Sequence, residues 1–384
     1  MKYDFDEPTV RLNTNSYKWD SGSDKDVIPL WVADMDFKTA PSIIEALRNR
    51  VEQGIFGYTY VPEEYYEACI EWFSRRHGLT FTASDIIYTS GVVPAISAIL
   101  KALTKAGDKV IVQTPVYNCF FSSIRNNGCM ASENRLILKD NTYYIDFEDL
   151  ERRASERDAK VLLLCNPHNP AGRVWNKDEL MKIGEICRKN DVIVVSDEIH
   201  CELVYPPFKY TPFASVSDFI KDSVTCVSPS KAFNIAGLQI ANIICRDNAM
   251  RKKIDKAINI NEVCDVNPFG VLATIAAYNH GEEWLKELIE YLKGNYEFLV
   301  DFFKRKMPRF PVLKLEGTYL VWVDFSSLGK SSEELEEKLL KEAKVWLNAG
   351  TMYGEAGEGF MRINIATQRR RLEEGLQRLA YILS

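Results

Sequence analysis

Between residues 86 and 245 the chain alternates short, β-branched apolar runs with stretches of helical periodicity, and this rhythm constrains the fold more than any other feature. The runs are 86–89, 110–113, 161–165, 192–196, 224–227 and 240–245, with helical patterns such as 94–106 and 177–189 among them. Runs apolar on both faces and spaced by helices predict a mostly parallel sheet covered on both sides. Upstream, 41–53 reads as a helix, with Ile43, Ile44, Leu47 and Val51 on one side and Pro41 at its start. After about Gly281 the rhythm changes. A long amphipathic helix (283 to about 306) precedes a strand-like stretch at 319–325, a helix from Ser332, a second strand-like stretch at 360–366 and a last helix. A chain of 384 residues is long enough for about two domains. The expected division is a large α/β domain over 41–280 and a smaller α+β domain built from 1–40 and 281–384.

Composition narrows the function classes. A net charge of −6, without basic clusters interleaved with aromatics, argues against a nucleic-acid surface. No apolar run approaches the ~20 residues that span a membrane, and the acidic opening Met1 to Asp6 lacks a signal peptide's apolar stretch. Nine scattered cysteines without C-x-x-C spacing, and four scattered histidines, suggest a reduced, cytoplasmic, metal-free protein.

Chemistry-bearing residues collect where the apolar runs end. Ser228-Pro229-Ser230-Lys231 comes after the run 224–227, so Lys231 either lies on an ordinary surface loop or is an ammonium costly to desolvate unless it is used, for instance to form an imine with a carbonyl compound. Asn166-Pro167-His168-Asn169-Pro170-Ala171-Gly172 closes the run 161–165 as a turn, or else points Asn166 into the crevice where open α/β sheets bind ligands. Asp197, in Ser196-Asp197-Glu198-Ile199-His200, either caps the next helix or holds a proton on a heteroaromatic nitrogen, and His200 is either a ligand contact or a buried, satisfied histidine. Thr89-Ser90-Gly91-Val92-Val93-Pro94 leads into a helix whose free amides suit a phosphate. Tyr117 is a core aromatic or a platform for a flat cofactor. Arg362 interrupts a strand in the small domain, either solvated or set to grip a carboxylate.

The order of these residues, with Asn166 and Asp197 31 positions apart and Asp197 and Lys231 34 apart, resembles the fold-type I pyridoxal 5'-phosphate (PLP) enzymes of aminotransferase class I/II. The resemblance covers the chain from about Trp31 to the last helix and is carried by N-P-x-N-P-x-G, S-D-E-I-H and S-x-S-K-A-F-N-I-A-G-L. It implies a seven-stranded, mostly parallel sheet between helices plus a smaller α+β domain, with PLP as cofactor. It further implies Lys231 as the Schiff-base lysine, Asp197 as the pyridinium partner and Asn166 at the cofactor's phenolic oxygen. Tyr117 matches the stacking aromatic, the amides of Val92 and Val93 the phosphate cradle, and Ser228 and Ser230 the hydroxyls near phosphate and lysine. Arg362 matches the substrate-carboxylate arginine, with Ala33 and Asn166 beside the same group. Tyr58 matches a tyrosine that reaches the neighbouring subunit's phosphate, which implies a homodimer with shared sites.

Two positions depart from ordinary aminotransferases. Position 200 is His where Tyr is usual, and position 239 is Gln where many carry a phosphate-binding Arg. With Trp31-Val32-Ala33-Asp34-Met35-Asp36-Phe37, they resemble the C–S β-lyases of the MalY/PatB type. The expected activity is therefore β-elimination from L-cystathionine or related cysteine conjugates, giving a thiol, pyruvate and ammonia. The alternative is amino-group transfer between an L-amino acid and a 2-oxo acid.

Overall fold

The structure is a computed structural model that describes residues 2–260 and 266–383. Its centre is a seven-stranded sheet of β1 (Ile86–Thr89), β2 (Lys109–Thr114), β3 (Met130–Arg135), β4 (Ala159–Cys165), β5 (Ile193–Asp197), β6 (Ser223–Val227) and β7 (Ala241–Ile244). The order is β1-β7-β6-β5-β4-β2-β3, and β7 alone runs antiparallel to its neighbours. Side chains alternate across the sheet, as strand geometry requires. Ile111, Leu162, Leu164 and Val194 pack on one face with Leu150, Leu180 and Ile183 of the helices Phe147–Ala154 and Lys177–Lys189. Val110, Val112, Val161, Leu163 and Val195 pack on the other with Ile96, Ile99, Phe120 and Ile124 of the helices Val92–Leu103 and Asn118–Asn126.

Six strands lie within a few residues of the apolar runs; the seventh, β3, has no such run. Its sequence, Met130-Ala131-Ser132-Glu133-Asn134-Arg135, is polar even on its covered face: of the two buried side chains, Asn134 donates to the Asp146 carbonyl and Asp149, and Ser132 accepts from Arg153. The helix expected at 94–106 starts earlier, at Val92, because a proline in the first turn gives up an N–H that has no helical partner anyway.

The C-terminal part holds a three-stranded antiparallel sheet of β8 (Leu320–Asp324), β9 (Asn348–Ala349) and β10 (Phe360–Asn364), in the order β8-β10-β9. The N-terminal residues pack onto this part: Ile28–Pro29 pairs in parallel with Val345–Trp346, and Phe5 and Leu30 share a core cluster with Leu285, Tyr319 and Leu379. No helix among the described residues is long and apolar enough to cross a membrane.

Candidate active site

Because β2, β4, β5 and β6 are parallel neighbours, the residues at their carboxyl ends emerge on one rim of the sheet. There a cavity of about 460 Å³ is lined by Lys231, Asp197, Tyr117, Asn169, His200 and Arg362, among others. Lys231 lies in the turn after β6 and donates from Nζ to the Ala33 carbonyl at 2.7 Å. Burial pulls its ammonium down to about 8, helped by the Arg362 guanidinium and opposed by the Asp34 and Asp197 carboxylates. Asp197 ends β5 and accepts the Ile199 N–H on Oδ1 at 3.1 Å. Burial pushes its carboxyl up to about 7, against the stabilising pull of that N–H and of Lys231. His200 is buried with Nδ1 unpartnered, and burial together with the Lys231 and Arg362 charges holds its ring well below the usual histidine range.

Arg362 lies in β10 opposite Trp322 and Asn348. It is buried, not solvated, and its acceptors are neutral: Nη2 donates to the Trp31 carbonyl at 2.7 Å and Nη1 to Asn169 Oδ1 at 3.2 Å, while Nε is unpartnered. Its guanidinium also lies over the Tyr353 ring at 5.0 Å. A buried guanidinium held by neutral acceptors keeps its charge available for an incoming carboxylate. On the opposite wall the Val92–Leu103 helix begins at Gly91 without a side-chain cap, and Val92 and Val93 line the cavity. Tyr117 stands at the start of the Asn118–Asn126 helix, Ala33 and Ser230 also face the cavity, and Gln239 reaches it from a left-handed turn with φ 52°.

Two expected placements need correction. Asn166 does not face the cavity: it is wholly buried, its Nδ2 donating to Glu198 Oε1 at 3.2 Å and the Thr211 carbonyl at 3.0 Å. The Asn166 N–H still pairs with the Asp197 carbonyl, so the β4–β5 ladder persists past the strand end and the chain turns into the cavity only at Asn169. Asn166 Oδ1 has no partner among the described residues; Ser228 is spent internally, donating to the Ile240 carbonyl at 2.6 Å and accepting the Ser230 N–H at 3.1 Å. Tyr58 stands outside the cavity and is 97% exposed. Sequence reasoning missed Asn169, although it is the second asparagine of the same turn motif, and it missed Asn348, Tyr319 and Tyr353. A metal-type cluster of His77, Cys201 and Glu202 lies elsewhere, where Glu202 is already bound by Arg76 at 3.1 Å and by Trp72 and His77 at 2.7 Å.

A profile of the family described as aminotransferase class I and II matches residues 25–379. The chain belongs to that family. It is 44% identical to cystathionine β-lyase PatB of Bacillus subtilis over 99% of this chain and 100% of that protein. It is 32% identical to the protein MalY of Escherichia coli over 97% of each chain. Among solved structures, cystalysin from Treponema denticola, which contains a pyridoxal 5'-phosphate cofactor, superposes with a TM-score of 0.95 at 37% identity, over 100% of this chain and 99% of that one. The residues here fit such a group. The uncapped helix start suits its phosphate, Asp197 a ring nitrogen that must keep a proton, and Lys231 its aldehyde.

Proposed function

We propose that this chain is a PLP-dependent C–S β-lyase that cleaves L-cystathionine or related L-cysteine conjugates to a thiol, pyruvate and ammonia. The observation that carries the chemistry is the convergence of Lys231, Asp197 and Arg362 on one cavity. The choice of elimination rests on the 44% identity to cystathionine β-lyase PatB over the full chain. When bound, the cofactor supplies an electron sink for charge developing at the substrate's α-carbon. Arg362 takes the α-carboxylate and, with Asn169, fixes which Cα bond is presented. Lys231, its ammonium lowered to about 8, gives up its proton far more readily than an ordinary lysine, and as the neutral amine it removes the Cα proton. Asp197 holds the proton on the ring nitrogen, Tyr117 covers the ring face, and Val92, Val93 and Ser230 hold the phosphate. Breaking the Cβ–S bond releases the thiolate, which takes up a proton, and water converts the three-carbon remainder to pyruvate and ammonia.

The large domain is assigned to 41–280 and the small one to 1–40 with 281–384, so that Arg362 closes the cavity from the second domain. The working unit is a homodimer in which Tyr58 reaches the partner's phosphate, a reading supported by its exposure beside exposed Ile55, Phe56 and Tyr60. The eight described cysteines are free thiols, which supports a reduced, cytoplasmic setting. The test is to give the purified yellow protein L-cystathionine without any 2-oxo acid and follow pyruvate together with free thiol. Equal, continuous release of both is expected. No pyruvate, with amino-group transfer once a 2-oxo acid is added, would make the enzyme an aminotransferase.

A further inference from the structure

The carbonyls that hold Lys231 and Arg362 belong to one short segment, and that segment is anchored by a buried knot of charge. The Trp31 carbonyl accepts from Arg362 Nη2 at 2.7 Å and from Asn348 Nδ2 at 3.0 Å. The Ala33 carbonyl accepts from Lys231 Nζ at 2.7 Å and from Tyr319 Oη at 2.9 Å. The intervening carbonyls of Val32 and Asp34 turn the other way, to Asn364 Nδ2 at 2.5 and 2.7 Å. Carbonyl direction thus alternates along the segment, and a slip of one residue would turn both cavity-facing carbonyls away. Residues 31–35 form no regular strand, and backbone bonds hold the segment only at its ends, where Leu30 pairs with Trp346 and Asn364 and the Asp36 N–H with the Ala366 carbonyl.

A second anchor, made of side chains, lies just beyond. Asp36 is 1% exposed, its Oδ1 bound by Arg11 Nη1 at 2.8 Å and Trp19 Nε1 at 2.9 Å, its Oδ2 by Lys18 Nζ at 3.1 Å. Lys18 is equally buried. The Arg11 guanidinium bridges two carboxylates, Nη1 on Asp36 and Nη2 on Asp34 at 2.8 Å, and Nη1 also donates to the Met35 carbonyl at 2.9 Å. Buried ion pairs add little net stability over apolar side chains of the same volume; their best-attested use is to specify register. We propose that Arg11, Lys18 and Asp36 are positioning residues of the active site. Their ion pairs fix the backbone of residues 31–34, whose carbonyls orient the Arg362 guanidinium and hold the Lys231 amine whenever it is not bonded to the cofactor. This rests on the roles given to Lys231 and Arg362 above.

The test uses Arg11→Met and Asp34→Asn in the holoenzyme, because both side chains are partly exposed and their loss leaves the Lys18–Asp36 pair in place. Three readouts are taken besides melting temperature: the split between KM and kcat for a cysteine conjugate, the pH midpoint of the visible band of the lysine-bound cofactor, and the affinity of the cofactor-free protein for propionate, an unreactive carboxylate. Expected are a roughly ten-fold rise in KM with a smaller change in kcat, a comparable weakening for propionate and a moved midpoint, at nearly wild-type melting temperature. Arg11→Lys should not rescue, since a single nitrogen cannot occupy both guanidinium positions that reach Asp36 and Asp34. A lower melting temperature with KM, propionate affinity and midpoint unchanged, or no change at all, overturns the proposal. Should Arg11→Met fail to fold, Asp34→Asn decides by KM and propionate affinity alone, since losing the Asp34 carboxylate moves the Lys231 midpoint by charge in any case. A wild type that releases no pyruvate sinks the functional reading instead, and the propionate measurement still tests this one.

Discussion

Asn166 and Asn169 sit on one turn and serve different neighbours. Asn169 supplies the oxygen that holds Arg362 Nη1, so Asn169→Ala should raise KM by about one order of magnitude, as expected for a lost hydrogen bond to a charged group. Asn166→Ala takes a donor from Glu198, which is wholly buried and also binds Ser196, Tyr210 and Phe213. It should cost about 1–3 kcal/mol in urea unfolding and leave KM nearly unchanged; the reverse pattern would return the substrate role to Asn166. Asp197 and Lys231 give the cofactor-free protein a pH signature. The folded chain keeps the Asp197 proton up to about pH 7, whereas an ordinary aspartate loses it near 3.8. Between those values the native state binds more protons than the unfolded one, so this contribution to stability is lost as pH rises. Lys231 runs the other way: its folded value of about 8 lies below the ordinary 10.5, so its contribution is complete above 10.5 and lost as pH falls to 8. Together they place a stability minimum between pH 7 and 8, where every tenfold difference in proton affinity between the folded and unfolded chain amounts to about 1.4 kcal/mol. Urea unfolding across pH should show Asp197→Asn flattening the acid-side slope and Lys231→Met the alkaline one. Variant curves parallel to the wild type would refute both assignments.

The Val92–Leu103 helix is the element on which phosphate binding depends, and its uncapped start makes that testable. Gly91 has φ 161°, an extended conformation open to any residue, and a Cβ there would meet only Pro94 at ordinary contact distance. Gly91→Asp should therefore fold, gain a few tenths of a kcal/mol as a better cap, and place a carboxylate where the phosphate is to sit. Expected is a loss of PLP affinity of at least about ten-fold with an unchanged or higher melting temperature for the cofactor-free protein, while Gly91→Ala stays near wild type. Unchanged affinity in Gly91→Asp would move the phosphate elsewhere. The strands beside this helix were legible because both their faces are buried and their sequences read as unbroken apolar runs; polar β3 escaped because its buried positions, Ser132 and Asn134, are hydrogen-bonded polar side chains. Within the site, Lys231, Asp197 and Tyr117 were legible as side chains at strand ends. The groups that hold Lys231 and Arg362 were not, because the carbonyls of Trp31 and Ala33 are chemically the same as any other and only the folded path of the N-terminal segment brings them there.

At the scale of the whole molecule the question is whether one chain completes its own site. Tyr58 is 97% exposed and lies outside the cavity that holds Lys231, so a contact with the phosphate requires a second copy. Mixing two defective variants decides this. Lys231→Ala lacks the lysine but keeps Tyr58, and Tyr58→Ala the converse. In a mixed dimer with exchanged tyrosines, one site combines an intact Lys231 with the Tyr58 of the other subunit, and the second site lacks both. Random assortment makes about half of the dimers mixed, and half of their sites complete, so activity should recover to about one quarter of wild type after the two are unfolded and refolded together. If Tyr58 acted within its own chain, every site would lack one of the two groups and no recovery would occur. Sedimentation of the same mixture tells a failure to assemble apart from a failure to complement: dimers without recovered activity would remove Tyr58 from the shared site, and monomers would remove the dimer itself.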